Sequence, residues 1–185
     1  MKTKLAVIVS LLLIFGNFFL IHSAANEFII TIDTSKQKLY VFEGDEIIRI
    51  YPVSTSKYGI GNEKDSNKTP LGSHFVAAKI GEGAQVGTIF EYRKNTGRTA
   101  RIYTDTTDIE ESIIITRILW LRGIVPGLNE GKGVDSYIRC IYIHGTPEEG
   151  LIGTPASNGC IRMKNQDIIE LFDLVPEGTL VEIHE

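Results

Sequence analysis

Cysteine is scarce in this 185-residue chain: there are two, Cys140 and Cys160. Two cysteines allow one bridge at most, so a disulfide-stapled framework is excluded and the fold must rest on its apolar core. A basic surplus is also missing. The net charge is −4, whereas nucleic-acid binding usually requires a basic face, so no nucleic-acid partner is expected. The one locally basic run, Arg93, Lys94, Arg98 and Arg101, reads as a solvated loop. No period of roughly 20–50 residues recurs, and no low-complexity linker divides the chain.

A long hydrophobic run occurs once. Lys2 and Lys4 precede an apolar stretch from Leu5 to Ile21, and small residues, Ser23 and Ala25, follow it. This is the layout of a secretory signal with a cut after Ala25. An uncleaved anchor is the alternative, since a spanning helix needs about 20 residues; Gly16 and Asn17 interrupt the run and favour cleavage. Membrane attachment is expected only if the segment stays on. Residues 1–25 are therefore read as a leader and 26–185 as one exported domain, bound for the periplasm or cell wall. Residues 1–25 carry two of the 19 basic residues and none of the 23 acidic ones, so the remainder holds 17 against 23, a net charge of −6.

The exported part reads as mainly β: a mixed sandwich or barrel with a few short helices. "EFIITID" is a β-branched run, and "KLYVFEGDEIIRIYPVS" is two strands around a turn at Gly44. "GSHFVAAKI", "SIIITRILWL", "SYIRCIYIHG" and "TLVEIHE" read as further strands. One helix is expected over "NQDIIELFDLV", with Asn165 as N-cap, Ile168, Leu171, Phe172 and Val175 on its buried face, and Pro176 ending it. Residues 81–111 show little strand pattern apart from "TARIYTD" and read as an excursion from the sheet, a candidate flap over a site.

The chemistry concentrates in "IHGTPEEGLIGTPASNGCIRM". A cysteine attacks carbonyls as a thiolate and needs a base or a positive environment. His144, at the end of an expected strand, can be that base, and Gly145 lets the chain leave the strand tightly. Gly159 lets the backbone turn so that the amides of Asn158, Gly159 and Cys160 converge on a developing oxyanion. Arg162 can hold a substrate carboxylate with a fork of hydrogen bonds or brace the loop. Ser157 can orient the imidazole or a substrate amide. Tyr142 lines the cleft or packs in the core. Cys140, Tyr142 and His144 would share one strand face, placing Cys140 about 13 Å from His144 at ~3.3 Å per residue. That is too far for a bridge if Cys160 sits beside His144, so Cys140 is expected to be a buried free thiol, with a regulatory disulfide as the minority alternative.

The same stretch resembles the signature of the L,D-transpeptidase catalytic domain, the YkuD-like family. That signature is a His-Gly pair, a loop, then Ser/Thr-His-Gly-Cys followed by a hydrophobic residue and Arg or Asn. "TIDTSKQKLYVF", "YPVSTSKYG", "KTPLGSHF" and "PEGTLVEI" are similar to further segments of the family, so the resemblance covers nearly all of 27–184. It implies a mostly β domain with the cysteine and histidine in a cleft under a lid. It also implies peptidoglycan stem peptides as partners: a tetrapeptide donor and an amine acceptor, or a wall-anchored protein as acceptor. Cys160 would form a thioester with the third residue of the donor, releasing D-alanine, and the amine would resolve it into a 3→3 cross-link. His144 would shuttle the proton, oriented by Gly145 or Ser157. No metal and no cofactor are implied, and carbapenems would acylate the cysteine. Two positions depart from the pattern: Asn158 stands where the family has a second histidine, and Ser56 replaces the glycine of "PVSTG". Neither is the base, so activity is expected to survive.

Of the remaining residues, His74 reads as structural, His184 as solvated, and Trp120 as core or cleft wall. Two rival functions keep the same residues. In one, water resolves the thioester, making an L,D-carboxypeptidase. In the other, the domain binds the wall without catalysis, a reading that the His144/Cys160 pair opposes.

Overall fold

The computed structural model describes residues 28–109 and 111–185; the expected leader lies outside them. The strands are β1 (Phe28–Asp33), β2 (Lys38–Glu43), β3 (Glu46–Pro52), β4 (Gly72–Ile80), β5 (Thr88–Glu91), β6 (Lys94–Thr99), β7 (Ile114–Gly123), β8 (Tyr142–Gly145), β9 (Ile161–Met163) and β10 (Leu180–His184). A short 3-10 turn spans Glu149–Leu151, and one α-helix, α1, spans Asn165–Leu174. The chain is mainly β, as its alternating apolar runs imply.

The strands join in one mixed sheet ordered β3-β2-β1-β10-β4-β7-β5-β6, with β8 branching from β7 and β9 pairing β8. β1 and β10 pair in parallel, as do β8 and β9; β2–β3 is an antiparallel hairpin. Inward side chains of β1 and β2 (Ile30, Ile32, Leu39, Val41) share a cluster with Ile143, Ile161 and Met163 of the β8–β9 branch and with Ile168, Leu171 and Phe172 of α1. The two limbs of the sheet therefore close on the helix as the layers of a sandwich do. A smaller second cluster, Phe90, Ile118 and Tyr142, lies on the other face of β8, with Trp120, Cys140 and Cys160 packed against it.

Three local expectations are corrected. α1 does not use Asn165 as its N-cap. That position falls to Lys164, whose side chain makes no capping bond. Asn165 is the first helical residue, and the Glu149 carboxylate accepts its backbone N–H at 2.7 Å. A glutamate sixteen residues upstream thus supplies the capping oxygen, which no local pattern announces. The excursion 81–111 contains a hairpin, β5–β6, while "TARIYTD" contributes the last residue of β6, Thr99, and an isolated bridge between Tyr103 and Glu148. Its turn residues, Tyr92 and Arg93, both take positive φ (49° and 66°). Such turns ordinarily recruit Gly, Asn or Asp, so the sequence carried no turn signal. In "SYIRCIYIHG" only Tyr142–Gly145 is strand; Cys140 sits in a turn at φ 58°.

Asn165 ties the helix to the sheet. Its Oδ1 accepts the Thr116 hydroxyl at 2.5 Å, and its Nδ2 donates to the Thr146 carbonyl at 2.9 Å and the Glu149 carboxylate at 2.7 Å. Asn165, Thr116 and Thr146 are buried, so truncation strands several polar groups at once. Asn165→Ala is expected to lose about 2 kcal/mol or more of unfolding free energy, read by urea denaturation; an unchanged midpoint contradicts this role.

Candidate active site

One strand pairing sets His144 and Cys160 on the same face of the sheet. β8 and β9 run parallel with His144 opposite Arg162, and Ile143 opposite Ile161. The register carries back by one step, setting Cys160 beside Tyr142. Side chains alternate along each strand, so Ile143, Ile161 and Met163 enter the main core while Tyr142, His144, Cys160 and Arg162 share the opposite face. Neighbouring strands lie about 4.8 Å apart and each residue advances about 3.3 Å, so the Cα atoms of residues 144 and 160 are diagonal neighbours at roughly 8 Å.

Gly145 orients the base. The His144 Nδ1 lies 2.8 Å from the Gly145 carbonyl oxygen. A carbonyl only accepts, so Nδ1 carries the hydrogen and Nε2 is the bare, basic nitrogen. Glycine is required at 145 because a Cβ there would lie 2.6 Å from the Asn165 Oδ1 and 2.8 Å from the Ile115 carbonyl. His144 is 1% exposed. Burial, with help from the nearby Arg162 charge, pushes its pKa down to about 4. It rests as a neutral imidazole.

The nucleophile turn is held from several sides. Gly159 has φ +116° and packs on the Asn67 and Lys68 carbonyls. Thr69 Oγ1 donates to the Gly159 carbonyl at 3.1 Å and accepts the Ser56 amide at 3.0 Å, while the Ser56 hydroxyl donates to the Asn67 carbonyl. The two family-like segments around Ser56 and Thr69 thus form the floor of the turn. Ser56, standing in a glycine's place, adds a hydroxyl bond to that floor.

Ser157 does not orient the imidazole. Its hydroxyl donates to the Cys160 carbonyl at 2.5 Å and accepts the Gly159 amide at 3.2 Å, so its role is to close the turn. That bond also occupies one of the three amides expected to face an oxyanion, leaving those of Asn158 and Cys160. The Asn158 side chain is exposed at the rim. Arg162 does not offer its fork to a substrate: it is 4% exposed and pairs with Glu148 at 2.6 Å. The loop carrying Glu148 covers that end of the strand, so Arg162 braces the site. Glu148 was missed by sequence reasoning; its only signal was a conspicuous acid in a loop between two motif segments. Tyr142 is buried, its hydroxyl accepting from Arg93 at 2.9 Å.

The expected separation of the two cysteines is also overturned. Cys140 lies in a turn, and Cys160 pairs beside Tyr142, so the Cys160 thiol donates to the Cys140 carbonyl at 3.4 Å. Both cysteines are free thiols, each half-buried. Burial pushes the Cys160 thiol up to about 11; the Tyr142 backbone N–H and the charges of Arg162 and Arg139 act against that shift. The resting pair is a neutral thiol beside a neutral imidazole.

The mixed sheet sets a cysteine and an oriented histidine on one face, the two residue types that cysteine-based acyl chemistry uses. The sequence matches the model of the YkuD family, L,D-transpeptidase catalytic domain, over residues 27–183, and the chain belongs to that family. It is 46% identical over 54 residues to YqjB of Bacillus subtilis, a protein named among the L,D-transpeptidases; the match spans 29% of this chain and 30% of that one. It is 29% identical over 161 residues to YcfS of Escherichia coli K12, likewise named, spanning 83% of this chain and 43% of that one. The chain therefore spans less than half the length of these relatives. Among solved structures, the L,D-transpeptidase of Mycobacterium smegmatis shares the fold at a TM-score of 0.52 and 20% identity, over 86% of this chain and 59% of that one. L,D-transpeptidase 3 of Mycobacterium tuberculosis, solved with a faropenem-derived adduct, does so at 0.52 and 17%, over 85% and 60%.

Two pH dependences follow. Alkylation of Cys160 by iodoacetamide, followed by peptide mass spectrometry, is expected to be slow at neutral pH and to climb toward about pH 11. A plateau already reached below pH 7 would mean a preformed thiolate–imidazolium pair instead. His74 is buried like His144, its Nε2 3.0 Å from the Ser136 hydroxyl, and burial pushes its pKa down to about 4. The folded state thus binds fewer protons than the unfolded state between pH 6.5 and about 4. Stability is full above that window and lost as pH falls through it. Thermal melts across the window should show the loss, and His74→Asn should show less of it.

Proposed function

We propose that this chain is an exported cysteine acyltransferase of peptidoglycan, an L,D-transpeptidase. It takes a stem tetrapeptide as donor and an amine, on another stem or on a wall-anchored protein, as acceptor. The observation that carries the reading is the Nδ1–H bond from His144 to the Gly145 carbonyl, which leaves Nε2 basic on the strand face that also holds Cys160. Family membership supplies the substrate class, and the leader-like residues 1–25 support export.

In the proposed reaction the Cys160 thiol turns from the Cys140 carbonyl toward Nε2. The thiol proton passes to Nε2 as sulfur bonds to the carbonyl carbon of the donor's third residue. The amides of Asn158 and Cys160 face the developing oxyanion; one such donor is worth roughly 3 kcal/mol. The amide C–N bond to the terminal D-alanine breaks, and His144 returns the proton to the departing amine. The acceptor amine then attacks the thioester, gives a proton to His144, and expels the thiol, which recovers that proton. Because the thiol and imidazole are neutral at rest, proton transfer accompanies attack and does not precede it. The deep burial of His144 favours an amine acceptor over bulk water.

The test uses purified protein, a disaccharide-tetrapeptide and a carbapenem. Wild type is expected to give 3→3 dimers and a stable mass adduct on Cys160. Cys160→Ala should give neither, and His144→Gln should slow both by at least about a hundredfold. Tripeptide without dimer would assign the carboxypeptidase reading. No turnover and no adduct would sink the acyltransferase reading.

A further inference from the structure

Arg139, which no signature residue points to, sits where two supports of the nucleophile meet. Its Nη2 donates to the Lys68 carbonyl at 2.6 Å, and its Nη1 donates to the carbonyls of Asn62 at 3.0 Å and Gly61 at 3.4 Å. One guanidinium therefore ties together both ends of the 61–68 loop. Gly159 leans on the far side of that loop: a Cβ built there would lie 3.3 Å from the same Lys68 carbonyl oxygen and 3.5 Å from that of Asn67. The next residue, Cys140, takes a left-handed conformation at φ 58° and directs its carbonyl to the Cys160 thiol at 3.4 Å. One short segment thus holds the floor beneath the nucleophile turn and the sulfur itself. Three aligned carbonyls also cancel much of the cost of half-burying a guanidinium, which a lysine's single point of attachment would not do.

We infer that Arg139 is a positioning residue for Cys160: its fork fixes the 61–68 loop as the base of the nucleophile turn, and its charge faces the sulfur. The groups surrounding that sulfur are Arg162 and the neutral His144 on the same strand face, Tyr142 alongside, and Cys140 and Arg139 from the preceding turn. Arg162 is already neutralised by Glu148 at 2.6 Å. Arg139 donates only to carbonyls and makes no ion pair among the described residues; the carboxylates of Glu63 and Asp65, in the loop it ties, act on its charge from beyond ion-pair distance. Burial lowers the Arg139 pKa, while the sulfur and the Glu63 and Asp65 carboxylates act to raise it. The inference rests on Cys160 being the nucleophile.

Two variants separate fork from charge. Arg139→Gln removes both; Arg139→Lys keeps the charge and loses the fork. Each is measured for alkylation of Cys160 by iodoacetamide between pH 7 and 10, for acylation by a carbapenem, and for melting temperature, with peptide mapping to separate Cys160 from Cys140. Arg139→Gln is expected to alkylate at least tenfold more slowly at each pH. Arg139→Lys should alkylate within about twofold of wild type, yet acylate at least tenfold more slowly, because acylation needs the placed sulfur and a misplacement of ~1 Å can cost on the order of a hundredfold. A merely structural arginine would lower the melting temperature and leave the folded protein's two rates in their wild-type ratio. Arg139→Lys acylating at the wild-type rate overturns the inference, including when Arg139→Gln does not fold. A wild-type Cys160 that alkylates but never acylates instead overturns the acyltransferase reading on which the inference stands.

Discussion

The β8–β9 pairing is the interaction on which the site depends. These strands are four and three residues long, and sixteen residues separate His144 from Cys160 in sequence. Parallel strands cannot be joined by a tight turn, so the intervening segment must travel out and back. It does so through the 3-10 turn and the Ala156–Gly159 loop, and its carboxylates are used on the way. Glu148 neutralises Arg162 and Glu149 caps α1. A slip of one residue in this register would turn Cys160 into the apolar core and Ile161 into the cleft. The core prevents that slip, because Ile143, Ile161 and Met163 are each fully buried against α1.

Polar interactions then convert adjacency into orientation. Each group that could wander is held by a partner: the imidazole by the neighbouring Gly145 carbonyl, the Cys160 carbonyl by nearby Ser157, and, from farther along the chain, the Gly159 carbonyl by Thr69 and Arg162 by Glu148. The buried Arg162–Glu148 pair is weak evidence of stability, since desolvating two charges offsets much of their attraction. Its use is geometric. It keeps a guanidinium beside His144, which, with burial, holds the imidazole neutral. Burial acts on the thiol in the same sense, holding it protonated beside the neutral imidazole.

Most of the fold was legible because period-two alternation is a local property of a half-buried strand. β1, β2, β4 and β10 follow it, β7 is a central strand buried over five consecutive residues, and α1 follows its own 3.6-residue period. What was not legible lacked a local signal. The β5–β6 turn is made by Tyr92 and Arg93, residues that do not advertise positive φ. The strand expected through Cys140 begins only at Tyr142, because a left-handed turn at Cys140 precedes it.

The sequence by itself determined which atoms could do chemistry: one cysteine after a glycine, one histidine before a glycine, and the apolar periodicities that place both at strand ends. Only the tertiary structure decided what each neighbour does. It bonded Ser157 within the turn before Cys160, gave Arg162 a buried partner, brought the Cys140 carbonyl to the Cys160 thiol, and tied Arg139 to the 61–68 loop. The physical reason is that residue type and spacing encode burial and local hydrogen bonding, whereas polar partners distant in the chain are chosen only once the packed sheet has set which groups lie within about 3 Å of each other.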